Sequence, residues 1–224
     1  LSESLLAGFR QKYIKDGKLS VKTQTALAMC LQLNVFNAEE EGEAYKELLA
    51  DIKKQGDQFR VGVIGYKYLF DALVARGNSD LCLKLITQKS FPSYGYLIYN
   101  KATTLWESFV EYEVKNGKLE RKDGEERILS FNHHFWGGVL SWIYRYIGWL
   151  NIKSADTAEI VPVQFDGVNK AEISYGRNGK KIAVKWEKEN GKTKLTVKNK
   201  GFKCVFRHKG QEKTINEESE FFID

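Results

Sequence analysis

The chain has 224 residues, 42% of them hydrophobic and 13% aromatic, which is enough to bury a core in one or two domains and excludes a disordered chain. Its net charge of +6 is spread along the sequence, with basic residues beside acidic ones as in WEKENGKTK, so a solvated surface is expected rather than a nucleic-acid footprint. The longest apolar stretch, around Trp136 to Leu150, is broken by Arg145 and two tyrosines and falls short of the roughly 20 apolar residues of a membrane span, so a soluble protein without a membrane partner is expected.

Leu1 leads straight into a polar, helix-like pattern, with no initiator Met and no visible signal peptide, so a processed or truncated chain is expected and the compartment stays unassigned. From there to about Leu150 apolar residues recur at helical spacing, as in Leu5, Phe9 and Tyr13, or Leu27, Cys30 and Leu31. The spacing predicts helices at about 2–15, 21–34, 38–55, 65–76, 78–88 and 134–149. Loops with Gly17, Gly56, Gly77 and the run from Pro92 to Gly95 separate them, and Asn78 with Ser79 offers a cap for the fifth. Such a succession resembles stacked helical hairpins.

After about Asn151 the period changes to 2. The runs AEISYG, KIAVKWEK, TKLTVKNK, FKCVFRHK and ESEFFID predict strands, with turns at Arg177-Asn178-Gly179 and Glu189-Asn190-Gly191. Ile182, Val184 and Trp186 fall on one face and lysines on the other, which suits an antiparallel β-sandwich over 151–224 behind a helical domain over 1–150. Cys30, Cys82 and Cys204 are scattered in apolar contexts without metal-binding or CxxC spacing, so buried, inert thiols are expected.

Three connecting segments are rich in aromatic and polar residues: VGVIGYKY at 61–68, FPSYGYLIYNKATTLWESF at 91–109 and SFNHHFW at 130–136. Trp106 beside Glu107, with Tyr94, Tyr96 and Tyr99 nearby, is a combination that suits a sugar site, because C–H faces of pyranose rings pack on aromatic rings while a carboxylate activates water or binds hydroxyls. On composition alone such a loop is more often packing. Asn132, His133 and His134 offer hydrogen-bonding groups. Adjacent histidines point apart on a helix or a strand, so a structural or capping role is expected and a shared metal is not. Gly62 and Gly65 lack the Lys-Ser/Thr pair of a phosphate-binding loop, and no GxSxG is present.

The same three segments, in this order, resemble the α-L-rhamnosidases of glycoside hydrolase family 78. FPSYGYLIYNKATTLWESF is similar to that family's Tyr-Pro-Ser-Trp-Gly-Tyr, spacer, Gly-Ala-Thr-Thr-Ile-Trp-Glu segment. VGVIGYKYLFDALVARGNSDLCLKLI resembles its Gly-x-x-Gly loop, helix and Gly-x-x-Asp-Leu-Ala turn, and SFNHHFWGGVLSWIYRYIGWL its Ser-Phe-Asn-His-Tyr segment and following helix. The resemblance implies part of an (α/α)6 helical toroid followed by an antiparallel β-sandwich. It implies hydrolysis of terminal α-L-rhamnosyl linkages with inversion, with Glu107 as general base, His133 as a rhamnose contact, and Asn132, Trp106 and Tyr96 shaping the pocket.

Inversion needs a second carboxyl group about 6.5–9.5 Å from the first. The family's general acid lies in the first half of the toroid, which has no counterpart in this sequence, so the chain alone is expected to be inactive or nearly so. Expected partners are a rhamnose-containing oligosaccharide or glycoside and the N-terminal half of the same enzyme; self-association into a homo-oligomer stays open, and neither metal nor cofactor is required.

Several residues depart from the family pattern: Ser108 and Phe109 follow Glu107 in place of Arg-Trp-Asp, Tyr94 replaces a Trp, His134 replaces a Tyr, and KNGKLERKDGEER lengthens the interval before Asn132. They keep two other readings in view: a toroid glycosidase or lyase for another sugar, and a non-catalytic carbohydrate-binding or structural piece.

Overall fold

The computed structural model describes residues 2–223; Leu1 and Asp224, the last residue of the ESEFFID run, lie outside them. The chain forms two compact units, Leu1–Gly138 and Val139–Asp224.

The first unit opens with helix α1 (Glu3–Tyr13), a two-residue hairpin of β1 (Ile14–Lys15) and β2 (Lys18–Leu19), then α2 (Gln24–Gln32) and α3 (Ala38–Lys54). The polar residue before each helix explains its start. Ser2 and Thr23 accept from backbone N–H groups of the first turn, and Asn37 forms a reciprocal capping box with Glu40, each bond being 2.9 Å. Glu40 also accepts both arms of the Arg10 guanidinium at 2.7 and 2.9 Å, tying α1 to α3. That bidentate bond holds the Glu40 carboxyl below the usual carboxylate range.

Helices α4 (Gly65–Ala75), α5 (Ser79–Thr87) and the short α6 (Tyr94–Tyr99) follow. α2 packs against α3 and α4, and α4 against α5. Leu27, Leu31, Leu48, Ile52, Leu69, Leu73 and Leu85 are the apolar stripes of these helices, and all are buried. Asn78 does stand at the N-cap of α5, but its side-chain amide donates to the Tyr45 hydroxyl at 2.7 Å and makes no capping bond to the helix. Beyond α6 the backbone runs through bends and turns to a hairpin of β3 (Tyr112–Lys115) and β4 (Lys118–Arg121), turned on Asn116 and Gly117, both at positive φ, and ends in a 3-10 turn over Phe135–Gly138.

The second unit begins with a short helix α7 (Val139–Trp142) that widens into a π-turn over Ile143–Ile147. Two four-stranded sheets follow. One has the order β11-β10-β6-β5, from β5 (Leu150–Ile152), β6 (Thr157–Ile160), β10 (Lys203–His208) and β11 (Gln211–Ile215). The other has the order β12-β9-β8-β7, from β7 (Lys170–Arg177), β8 (Lys180–Glu189), β9 (Lys192–Lys200) and β12 (Ser219–Ile223).

Inward residues of both sheets, Ile160, Cys204 and Ile215 from one and Ile182, Val184, Trp186, Leu195 and Val197 from the other, share one core, as a sandwich requires. The expected antiparallel pairing holds throughout except that β6 and β10 run parallel, because β10 returns to the first sheet only after the β7–β9 meander. The predicted Asn-Gly turns join β7 to β8 and β8 to β9, with Asn178, Gly179, Asn190 and Gly191 all at positive φ.

None of the three cysteines is in a disulfide and all are buried, and burial raises the thiols of Cys30 and Cys204 to about 11. Ellman's reagent at pH 8 is therefore expected to find no reactive thiol among the three in the native protein and all three once it is denatured; rapid labelling of any of them would show that its burial is not maintained in solution.

Candidate active site

The site lies in the first unit, where two loop stretches, 104–107 and 130–133, run side by side. The Glu107 N–H donates to the Ser130 carbonyl at 2.8 Å, the His133 N–H to the Leu105 carbonyl at 2.8 Å, and the Thr104 hydroxyl to the Phe131 carbonyl. Residues about 25 positions apart are thereby held together by backbone hydrogen bonds, so Trp106, Glu107, Asn132 and His133 share one patch.

The Glu107 carboxylate is a quarter exposed. Its Oε2 accepts the Ser130 backbone N–H at 3.0 Å, and its Oε1 stands 3.6 Å from the largely exposed Arg127 guanidinium. Behind it, the indole N–H of Trp136 donates to the Glu107 carbonyl at 3.0 Å. The carboxylate is thus fixed from its backbone side, while among the described residues Oε1 is paired with an exposed, solvent-screened cation. Such a group can take a proton from a water molecule or bind a hydroxyl.

Trp106 is half-buried, edge-on to Phe131 at 5.0 Å, to Tyr112 at 5.8 Å and to Tyr96 at 6.5 Å. Tyr96 is buried at 9% exposure on α6 and also meets Phe91 edge-on at 5.8 Å, so it backs Trp106. Asn132 is exposed and His133 half-buried.

The two histidine rings do not point apart as expected: they stack, with centroids 5.0 Å apart and planes 10° from parallel. The reason is that they sit in a turn rather than on a helix or strand, and His133 Nδ1 accepts the Phe135 N–H at 3.3 Å.

Beneath the patch lies a cluster of rings. Phe109 meets Trp136 at 4.4 Å, Phe59 at 5.4 Å and Tyr94 at 5.2 Å, and Trp136 meets Tyr66 at 5.1 Å. The Tyr94 hydroxyl donates to the Trp136 carbonyl at 2.8 Å, and burial pushes its ionisation well above the ordinary tyrosine value, so it stays a donor. Two glycines allow close approaches around it, Gly95 of α6 to the end of α5 and Gly138 to Tyr66. A Cβ on Gly95 would sit 2.1 Å from the Thr87 carbonyl oxygen, and one on Gly138 would sit 2.0 Å from the Tyr66 hydroxyl.

The signals for Glu107, Trp106, Tyr96, Asn132 and His133 were all in the sequence, whereas Ser130, Trp136 and Arg127 carry none that spacing could have revealed. Gln24 is a further case. Only 2% exposed, it accepts the Arg60 N–H at 2.7 Å and donates to the Gln58 carbonyl at 3.2 Å and to Asp51 at 2.9 Å, clamping the strap 58–60. Gln24→Leu leaves those groups unpaired and is expected to cost about 2 kcal/mol in urea unfolding; a change below about 0.5 kcal/mol would mean the strap is not held by this side chain.

Against this geometry, residues 1–147 match the bacterial alpha-L-rhamnosidase 6 hairpin glycosidase domain, and the chain belongs to that family. An α-L-rhamnosidase of Formosa agariphila is 27% identical over 194 residues, covering 85% of this chain and 20% of its own length. One of Streptomyces avermitilis is 27% identical over 191 residues, covering 84% and 18%. The chain therefore spans about a fifth of the length of these relatives.

Among solved structures, the S. avermitilis α-L-rhamnosidase complexed with L-rhamnose superposes with a TM-score of 0.83 at 21% identity, over 98% of this chain and 23% of that one. The Aspergillus terreus α-L-rhamnosidase does so at 0.81 and 24%, over 98% and 26%. The fold is that of part of a helical toroid followed by a β-sandwich.

Proposed function

We propose that this chain supplies one wall of the active site of an α-L-rhamnosidase that hydrolyses terminal α-L-rhamnosyl linkages with inversion. Glu107 is the general base and takes a proton from the attacking water; His133 and Asn132 contact the sugar, and Trp106, backed by Tyr96, shapes the pocket. The observation that supports this most is the Glu107 carboxylate itself, anchored through Ser130 and Trp136 and partly open among those residues. Residues 1–150 act as the catalytic-domain portion and 151–224 as its C-terminal sandwich.

In this reading the general acid, about 6.5–9.5 Å from Glu107 to leave room for the water, comes from chain outside these 224 residues, and these residues alone are inactive or nearly so. The relatives' five-fold greater length supports that division. The test is proton NMR of an aryl α-L-rhamnoside hydrolysed by the full-length protein. The β-anomer of L-rhamnose should form first and then mutarotate. Initial release of the α-anomer would rule out inversion, and a folded protein with no turnover would rule out the substrate.

A further inference from the structure

Three rings stand together at the turn that follows Asn132. His133 and His134 stack, with centroids 5.0 Å apart and planes 10° from parallel, and Phe135 meets them edge-on at 3.9 and 5.2 Å. His134 and Phe135 are exposed, and His133 is half-buried. The backbone is pinned on both sides of the stack. The His133 N–H donates to the Leu105 carbonyl at 2.8 Å, the Gly137 N–H to the His134 carbonyl at 2.9 Å, and the Asn132 N–H to the Ser130 hydroxyl at 3.1 Å.

This turn fixes the polarity of the His133 ring. The Phe135 N–H can only donate, so His133 Nδ1, 3.3 Å from it, acts as the acceptor. A hydrogen on Nδ1 would face that N–H. The ring hydrogen therefore sits on Nε2, because the bond made by one imidazole nitrogen sets which nitrogen carries the hydrogen. Turning the ring away would break the stack on His134 and the Nδ1 bond together. Glu107 brings acceptor oxygens to the same patch, and His133 brings a donor. A sugar hydroxyl, which donates and accepts at once, is met by both polarities.

We infer that His134 is a positioning residue: its stacked ring and the Phe135 N–H together hold His133 in the Nε2–H form, so that His133 recognises an oxygen lone pair of the sugar as a hydrogen-bond donor. The inference deepens the rhamnosidase reading and rests on it, adding the direction of the His133 contact and the residue that sets it. A ring already held in its binding orientation loses less freedom when sugar arrives.

Calorimetric titration of the full-length protein with L-rhamnose reads the contact without requiring turnover. His133→Asn keeps an oxygen for the Phe135 N–H but has no donor where Nε2 stood, whereas His133→Gln reaches that place with an amide N–H. The Asn variant should bind about tenfold more weakly, the scale of one lost hydrogen bond, and the Gln variant no more than about threefold. His134→Ala should weaken binding about threefold, the scale of one side chain left to be ordered, with an unchanged urea midpoint, and His134→Phe, which keeps a flat ring, should restore it. Added to His133→Asn, His134→Ala should do nothing further, because it acts through His133. Gln binding no better than Asn, unchanged binding in His134→Ala, or the same loss from His134→Ala in the His133→Asn background overturns the inference while rhamnose binding by the wild type leaves the rhamnosidase reading standing. A folded wild-type protein that binds no L-rhamnose sinks that reading and the inference with it.

Discussion

Replacing Glu107 by Gln in the full-length protein is expected to lower kcat for an aryl α-L-rhamnoside by about 100-fold or more, the scale of a lost general base. Gln keeps the size of the side chain and an oxygen that can accept the Ser130 N–H, now made at 3.0 Å, so the fold and the loop pairing of Glu107 with Ser130 survive. What disappears is the ability to take a proton from water. A fall in kcat with KM changed by less than a few-fold identifies a group that acts in the transition state rather than in ground-state binding. A kcat within about threefold of wild type would remove Glu107 from the mechanism and leave it a structural carboxylate bonded to Ser130.

The second large effect is on the sandwich. Trp149 and Trp186 are at most 1% exposed and stack with ring centroids 4.3 Å apart and planes 4° from parallel. Each indole N–H is satisfied within the unit, Trp149 by the Val163 carbonyl at 2.9 Å and Trp186 by the Ile147 carbonyl at 2.8 Å. Trp186→Ala removes the largest buried surface of β8, breaks the stack and leaves the Ile147 carbonyl without that donor. The expected cost is about 3–5 kcal/mol, read as a lower urea midpoint in circular dichroism. Trp186→Phe, which keeps most of the apolar volume, should lose markedly less. An alanine variant within about 1 kcal/mol of wild type would mean that the pair does not hold this core.

Much of the fold was readable from periodicity. The expected helices at 21–34, 38–55, 65–76 and 78–88 overlap α2 to α5 to within three residues at each end, because amphipathic stripes and capping residues are local signals. α6 was missed: its six residues from Tyr94 to Tyr99 are too few to show a period, and only the Ser93 side chain, which accepts the Tyr96 N–H, marks its start. The β3–β4 hairpin was hidden in the charged run KNGKLERKDGEER, although Asn116-Gly117 is itself a hairpin turn signal. The short β5, β6 and β11 were also unmarked.

The change of period near residue 151 and the division of the compact units after Gly138 differ for a physical reason. Residues 139–149 have helical spacing, yet Trp149 and the Ile147 carbonyl are engaged by Trp186, so packing assigns this stretch to the sandwich.

The candidate site divides in the same way. Glu107, Trp106, Tyr96, Asn132 and His133 were found through motif resemblance, not through spacing, because an aromatic loop with a carboxylate is also what ordinary packing produces. Local sequence therefore determined helices α1 to α5, the sandwich strands β7 to β10 and β12, the Asn-Gly turns between them and the residue types of the site, since caps, turns and amphipathic periods act over a few residues. Tertiary structure alone decided that Ser130 and Trp136 anchor Glu107, that Gln24 clamps the strap 58–60, and that β6 meets β10 in parallel. Those contacts join positions some 20 to 50 residues apart, and their partners are ordinary polar and aromatic residues whose pairing depends on how the whole chain packs.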